Sequence, residues 1–170
     1  MPDRDDPRLY FEFFNEIGII EQLSRTLFEG RLPRGVLVSH FSILNHLIRV
    51  ADGRTPLELA RAFQVPKTTM SHSLGLLTKR GWVEMRPNPS DARSKCVWIT
   101  KAGRKFREEA IGLLVPDMAD LARSIPTDRI RSLLPGLRDI REVLDAARTE
   151  PDLRAQEAAE IAAARAAATA

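Results

Sequence analysis

The sequence predicts a mainly α-helical fold with one small β element, an α+β class, and three observations carry that prediction. Apolar residues recur at helical spacing over most of the 170 residues. The period shortens to two in a stretch just after Gly81. Positive charge gathers on the same middle region. Residues 54–107 hold twelve lysines and arginines (Arg54, Arg61, Lys67, Lys79, Arg80, Arg86, Arg93, Lys95, Lys101, Arg104, Lys105, Arg107) against three acids, a net +9. The whole chain carries only +3, so the flanks hold −6 between them. A cationic module between acidic flanks suits a phosphate-bearing partner. A solvated basic face with no partner would carry the same charge, so the residue pattern has to separate the two.

The elements follow in order. Met1 to Asp6 is acidic and has no apolar run, so it is not a secretory signal, and residues 1–6 are expected to be disordered. Asp6-Pro7 pairs an N-cap with a proline at the first helical position. Leu9, Tyr10, Phe13, Phe14, Ile17, Ile20, Leu23, Leu27 and Phe28 then keep helical spacing, and Gly30 ends the run. Four of the seven phenylalanines and the only tyrosine lie here, a face too wide for a helix resting on a small domain. It is buried in a larger core or packs against another chain.

Ser39 is placed to cap a second helix bearing Phe41, Leu44, Leu47 and Ile48, which stops near Asp52-Gly53. Thr55-Pro56-Leu57-Glu58 joins a capping box to a proline at the first helical position, and that helix reaches about Phe63. Gln64-Val65 turns, and Pro66 starts a helix whose inner stripe is Met70, Leu74 and Leu77. Lys79-Arg80-Gly81 gives it a basic last turn and a glycine stop. Val83 and Met85 alternate with Glu84 and Arg86 as in a strand, Pro87 to Asp91 is turn chemistry, and Ser94 to Ile99 is β-rich. Two strands with a basic tip, straight after a helix-turn-helix, describe a wing. Thr100 caps a helix running to about Ser124 with a kink at Pro116, and Thr127 starts another in which Pro135-Gly136 should bend or break the path. The alanine-rich tail, Glu150 to Ala170, is expected to be a frayed helix or disordered.

A helix that reads the major groove needs short polar or basic side chains on the outward face of its first turns. Lys67, Thr68, Thr69, Ser71 and His72 meet that need, opposite the Met70 stripe. On an exposed helix with no partner they would be ordinary first-turn residues; their place in the second helix of the pair favours DNA. In the wing, Arg86, Arg93 and Lys95 flank the turn, suited to a narrow, electronegative minor groove. Asp91 has the wrong sign for DNA; it is either an ordinary turn residue or a brace for Arg93.

These residues bring a family into view. Thr55-Pro56-Leu57-Glu58-Leu59-Ala60, Thr69-Met70-Ser71-His72, Lys79-Arg80-Gly81-Trp82-Val83, Asp91-Ala92-Arg93 and Ile99-Thr100-Lys101-Ala102-Gly103, in this order and spacing, resemble the MarR family of bacterial transcription regulators. The resemblance implies a winged helix-turn-helix at 39–103. It also implies an N-terminal dimerisation helix and connection at 7–38 and C-terminal dimerisation helices at 104–147, leaving 148–170 as tail. It further implies an obligate homodimer, a palindromic operator in double-stranded DNA, repression more often than activation, and often a small anionic or phenolic ligand that weakens DNA binding. The sequence departs from the family pattern at Pro66, where a serine cap is frequent, at His72, where arginine is common, and in the wing, which has one basic residue fewer.

Other chemistry is weakly represented. Cys96 is the lone cysteine, so no internal disulfide is available and a reducing, cytoplasmic setting is expected. A redox-sensing role would need an accessible, acidic thiol; a plain strand residue is the competing account. His40, His46 and His72 do not stand at metal-ligand spacing with acids or cysteine, and no cofactor is called for. Phosphate-binding loops, dinucleotide fingerprints and nucleophile elbows are absent from the sequence, which argues against an enzyme. No apolar run reaches the ~20 residues that span a bilayer. A winged-helix module that binds protein instead of DNA remains the alternative.

Overall fold

The computed structural model describes residues 6–168, with side chains through residue 147. The described residues form seven helices and a two-stranded sheet in the order α1 (Pro7–Glu29), α2 (Val38–Arg49), α3 (Pro56–Ala62), α4 (Lys67–Lys79), β1 (Val83–Asn88), β2 (Asp91–Ile99), α5 (Lys101–Leu113), α6 (Val115–Ser124) and α7 (Thr127–Ala168). This is the mainly helical α+β fold with a wing that the sequence predicts. The disorder expected at the N-terminus lies, except for Asp6, outside the described residues. None of the described helices is long and apolar enough to cross a membrane.

The chain divides near Pro116 into two compact units. The first is built on one core. Ile43, Leu44 and Leu47 of α2 meet Leu59 of α3, Met70, Leu74 and Leu77 of α4, Val83 and Val97 of the sheet, and Phe106 of α5. Every member of the expected inner stripe of α4 is buried, and Ser73, which the stripe omits, is buried with it. In the second unit α7 leaves Ile130, Leu133, Leu134 and Leu137 exposed.

Local chemistry accounts for most of the boundaries. The Asp6 carboxylate accepts the Arg8 N–H at 3.0 Å and Pro7 opens α1. Thr55 Oγ1 accepts the Glu58 N–H at 3.2 Å while Glu58 Oε2 accepts the Thr55 N–H at 2.7 Å, the reciprocal box expected of α3. Gly81, at φ +68, stops α4 in the left-handed region that glycine enters without penalty. Thr100 Oγ1 caps α5 through the Gly103 N–H at 3.0 Å.

Four expectations are corrected. Ser39 does not cap α2; the cap position is Leu37, whose N–H donates to His40 Nδ1 at 3.0 Å, while Glu29 Oε1 takes the Val38 N–H at 3.2 Å. Pro66 is the extended cap residue of α4, and the helix itself begins at Lys67. The wing strands run further than the turn-rich sequence suggests. Asn88 pairs with Asp91, so only Pro89 and Ser90 lie between them, and the register shift at Pro87/Asn88 accommodates a proline that cannot donate. Last, α7 is continuous through Pro135-Gly136. So that pair does not break the helix: a proline removes one hydrogen bond, and the ladder on both sides continues. The helix expected to kink at Pro116 is instead interrupted at Leu114, between α5 and α6. The backbone of the expected tail continues α7 to Ala168; its side chains lie outside the described ones.

Candidate nucleic-acid interface

α3 hands over to α4 in a tight turn. Gln64 adopts φ 51, and the Val65 N–H returns to the Ala60 carbonyl at 3.0 Å. With Met70, Leu74 and Leu77 locked in the core, the first turns of α4 present their opposite side outward. Lys67, Thr68, Thr69, Ser71 and His72 are all exposed there. The structure therefore gathers these five on one accessible helix face rich in hydrogen-bonding groups.

The wing places the other three predicted residues differently from one another. Arg93 stands at the tip with a side chain 94% exposed, and Asp91 Oδ1 accepts both its N–H at 3.0 Å and its Nε at 3.5 Å. Asp91 thus holds the Arg93 backbone as a turn residue does and touches its side chain only loosely. The turn is held from within as well: Asn88 Oδ1 accepts the Ser90 N–H at 3.0 Å and its amide donates to Ser94 Oγ at 2.8 Å. Lys95 is exposed opposite Pro87. Arg86 is engaged nearer the base, paired with Glu84 and lying 5.0 Å over the Trp98 ring. Its guanidinium is already partnered, and it is the least available of the three.

Cys96 is buried, which removes the accessible thiol that a redox sensor requires. Trp98 faces the outer side of the sheet and lies against Gly53; a Cβ there would meet the ring at 2.6 Å. Two residues that the sequence shows only as helix-end residues, Arg80 and Asp52, organise the module. Arg80 donates to the Arg34 carbonyl at 3.1 Å and lies 5.1 Å over Trp82, which stacks on Phe106 at 3.7 Å. Asp52 joins the α2–α3 connection to β2 and α5. The Arg80–Arg34 bond and the Asp52 bonds to Ile99 and Arg104 span about fifty residues, so no local pattern announces them.

An open hollow of about 570 Å³ lies beside α4, lined by Leu37, Ser39, His40, Thr68, His72 and Leu76 among others. Burial, with smaller contributions from the charges of His72 and Arg80, holds the His40 imidazole below its ordinary pKa. The acceptor role of Nδ1 toward the Leu37 N–H also requires the unprotonated ring. Because the folded-state pKa is depressed, the unfolded chain takes the proton first as pH falls below about 6.5, and stability is lost from there downward through the folded value. His40→Gln, whose carbonyl can take the same N–H without titrating, should therefore lose less melting temperature than the parent between pH 7.5 and 5, both values set by the ~6.5 reference. Equal losses in thermal melts of the two proteins would refute this role.

The sequence and fold match known proteins. A family model described as MarR family matches residues 34–94. The Multiple antibiotic resistance protein MarR of Escherichia coli is 30% identical over 131 residues, covering 72% of this chain and 90% of that protein. The Transcriptional activatory protein BadR of Rhodopseudomonas palustris is 27% identical over 103 residues, 59% of this chain and 57% of that protein. Among solved structures, a cysteine-to-serine mutant of MarR from E. coli complexed with operator DNA is similar at a TM-score of 0.62 and 27% identity, covering 80% of this chain and 99% of the other.

Proposed function

Because the chain belongs to the MarR family, we propose that it is a cytoplasmic transcriptional regulator that binds a palindromic operator as a homodimer, most simply as a repressor, and catalyses no reaction. One observation carries the reading. The exposed face of α4, Lys67 through His72, and Arg93 at the wing tip belong to one cationic module. The helix would supply hydrogen bonds and positive charge to a major groove, and the wing an arginine to the neighbouring minor groove. Lys95 adds phosphate contact, while Arg86 contributes through its hold on Trp98. Two-fold pairing would set the α4 helices about one DNA turn, ~34 Å, apart. The apolar faces left open on α1 and α7, with Leu23 66% and Leu133 53% exposed, supply surface for a second copy to cover.

Selection of bound fragments from the source genome tests DNA binding directly. With a selected duplex, Arg93→Ala is expected to weaken binding by about 1–3 kcal/mol in fluorescence anisotropy. Unchanged affinity would remove the wing from the mechanism. Failure to retain any genomic fragment, with a protein partner co-purifying, would favour a winged-helix protein-interaction module instead.

A further inference from the structure

We propose that Asp52 is a positioning residue that sets the wing at its angle to the helix-turn-helix; the inference rests on the DNA-binding reading above. A two-stranded hairpin is marginal by itself, so the aim of Arg93 and Lys95 depends on what grips its base. One edge of β2 is paired with β1. The other edge is covered by residues 52–54. The Val97 N–H donates to the Arg54 carbonyl at 2.8 Å, and the Gly53 N–H donates to the Val97 carbonyl at 3.0 Å. At the next rung the connecting backbone makes no such bond, and the Asp52 carboxylate takes its place. Its Oδ1 accepts the Ile99 N–H at 3.0 Å, together with the Gly53 N–H at 3.1 Å.

The second oxygen faces another element. Asp52 Oδ2 accepts from Arg104 Nη2 of α5 at 2.9 Å. One carboxylate therefore ties the α2–α3 connection, the end of β2 and the first turn of α5. With only 21% of its side chain exposed, it is better shielded from water than most ion-pairing side chains among the described residues. Hydrogen bonds to a charged acceptor are also roughly twice as strong as neutral ones. Trp98 packs on Gly53, next in sequence, so a shift of this connection is passed to the outer face of the wing, where Arg86 lies over the same ring. A carboxylate in a cationic module is poorly suited to touch DNA. Its effect runs through β2.

The test is a double-mutant cycle in DNA affinity, joined to amide exchange in the DNA-free protein. Asp52→Ala should lower affinity about tenfold, and only about twofold or less once Arg93→Ala has already removed the wing contact. Combined with Lys67→Ala, a contact of α4, the tenfold loss should persist in full. Exchange at the Ile99 amide should accelerate at least about tenfold while the buried amides of α4 keep their rates. Additive losses with Arg93→Ala, or an unchanged Ile99 rate, would overturn the proposal. If Asp52→Ala fails to fold, Asp52→Asn serves, since its amide oxygen can still accept from Ile99 while the charge facing Arg104 is gone. It should show the same non-additivity with a loss of about threefold, and additivity there would be equally damaging. The exchange measurement needs no DNA, so an Asp52 that grips β2 in a chain that binds no duplex would count against the function and not against the grip.

Discussion

Gly103→Ala is expected to destabilise the folded chain by about 3 kcal/mol and to lower its melting temperature by about 10 °C. In isolation the substitution should help, since alanine is favoured over glycine within a helix by about 1 kcal/mol. The environment reverses the sign. A Cβ at Gly103 would stand 2.1 Å from the Trp82 carbonyl oxygen and 2.9 Å from Ile99 Cγ1. That oxygen cannot simply turn away, because it accepts the Thr100 N–H at 3.0 Å and the Thr100 hydroxyl at 3.2 Å. The methyl group must push α5 off the start of β1, at the place where Trp82 stacks on Phe106. Gly75 is the internal control. It lies in α4 with nothing within 4 Å of its Cβ position, so Gly75→Ala should raise stability by about 0.5–1 kcal/mol. Thermal melts at one protein concentration check both signs, and a Gly103→Ala melt within a degree or so of the parent would show that the junction yields.

Gly103 also shows what can be read from the chain and what cannot. It is visible as part of the motif Ile99 to Gly103, yet its reason, a carbonyl contributed by Trp82, appears only in three dimensions. Signals whose partners lie within one turn were legible: the Asp6-Pro7 start, the Thr55–Glu58 box, the Gly81 stop and the Thr100 cap. The wing was legible because its period-two alternation contrasts with the helices around it. Ser39 misled because a serine before an apolar run is a strong local cue. His40 had the better geometry, and its buried ring cannot be inferred from spacing. Pro135-Gly136 suggests a break that the helix does not show, since local rules state the cost of a proline and not the strength of the ladder around it. Charge and place beside the turn group Arg86 with Arg93; Glu84 and Trp98 distinguish them. Asp52 carries no sequence signal toward Ile99 or Arg104, as its bonds span about fifty residues.

Affinity for the cognate duplex should fall about a thousandfold between about 50 and 200 mM monovalent salt. Lys67, Arg93 and Lys95 of each copy are exposed and free of the pairing that holds Arg86 to Glu84, apart from the loose Asp91 contact of Arg93. Across two copies they would neutralise about six phosphates, for a slope of log affinity against log salt near −5. The steepness depends on pairing, because one copy would give about half that slope. Leu9, Ile20 and Leu23 of α1 are each about three-fifths exposed or more, and they lie far from the basic module in sequence. Ile20→Glu combined with Leu23→Glu places two carboxylates on that apolar face, where a second copy would have to bury them. The double variant should run as a monomer in light scattering at micromolar concentration, bind weakly, and show the halved slope. A parent protein whose affinity stays flat across this salt range would refute the electrostatic grip. A double variant that remains dimeric, with the slope undiminished, would instead show that this face of α1 is not what joins the two copies.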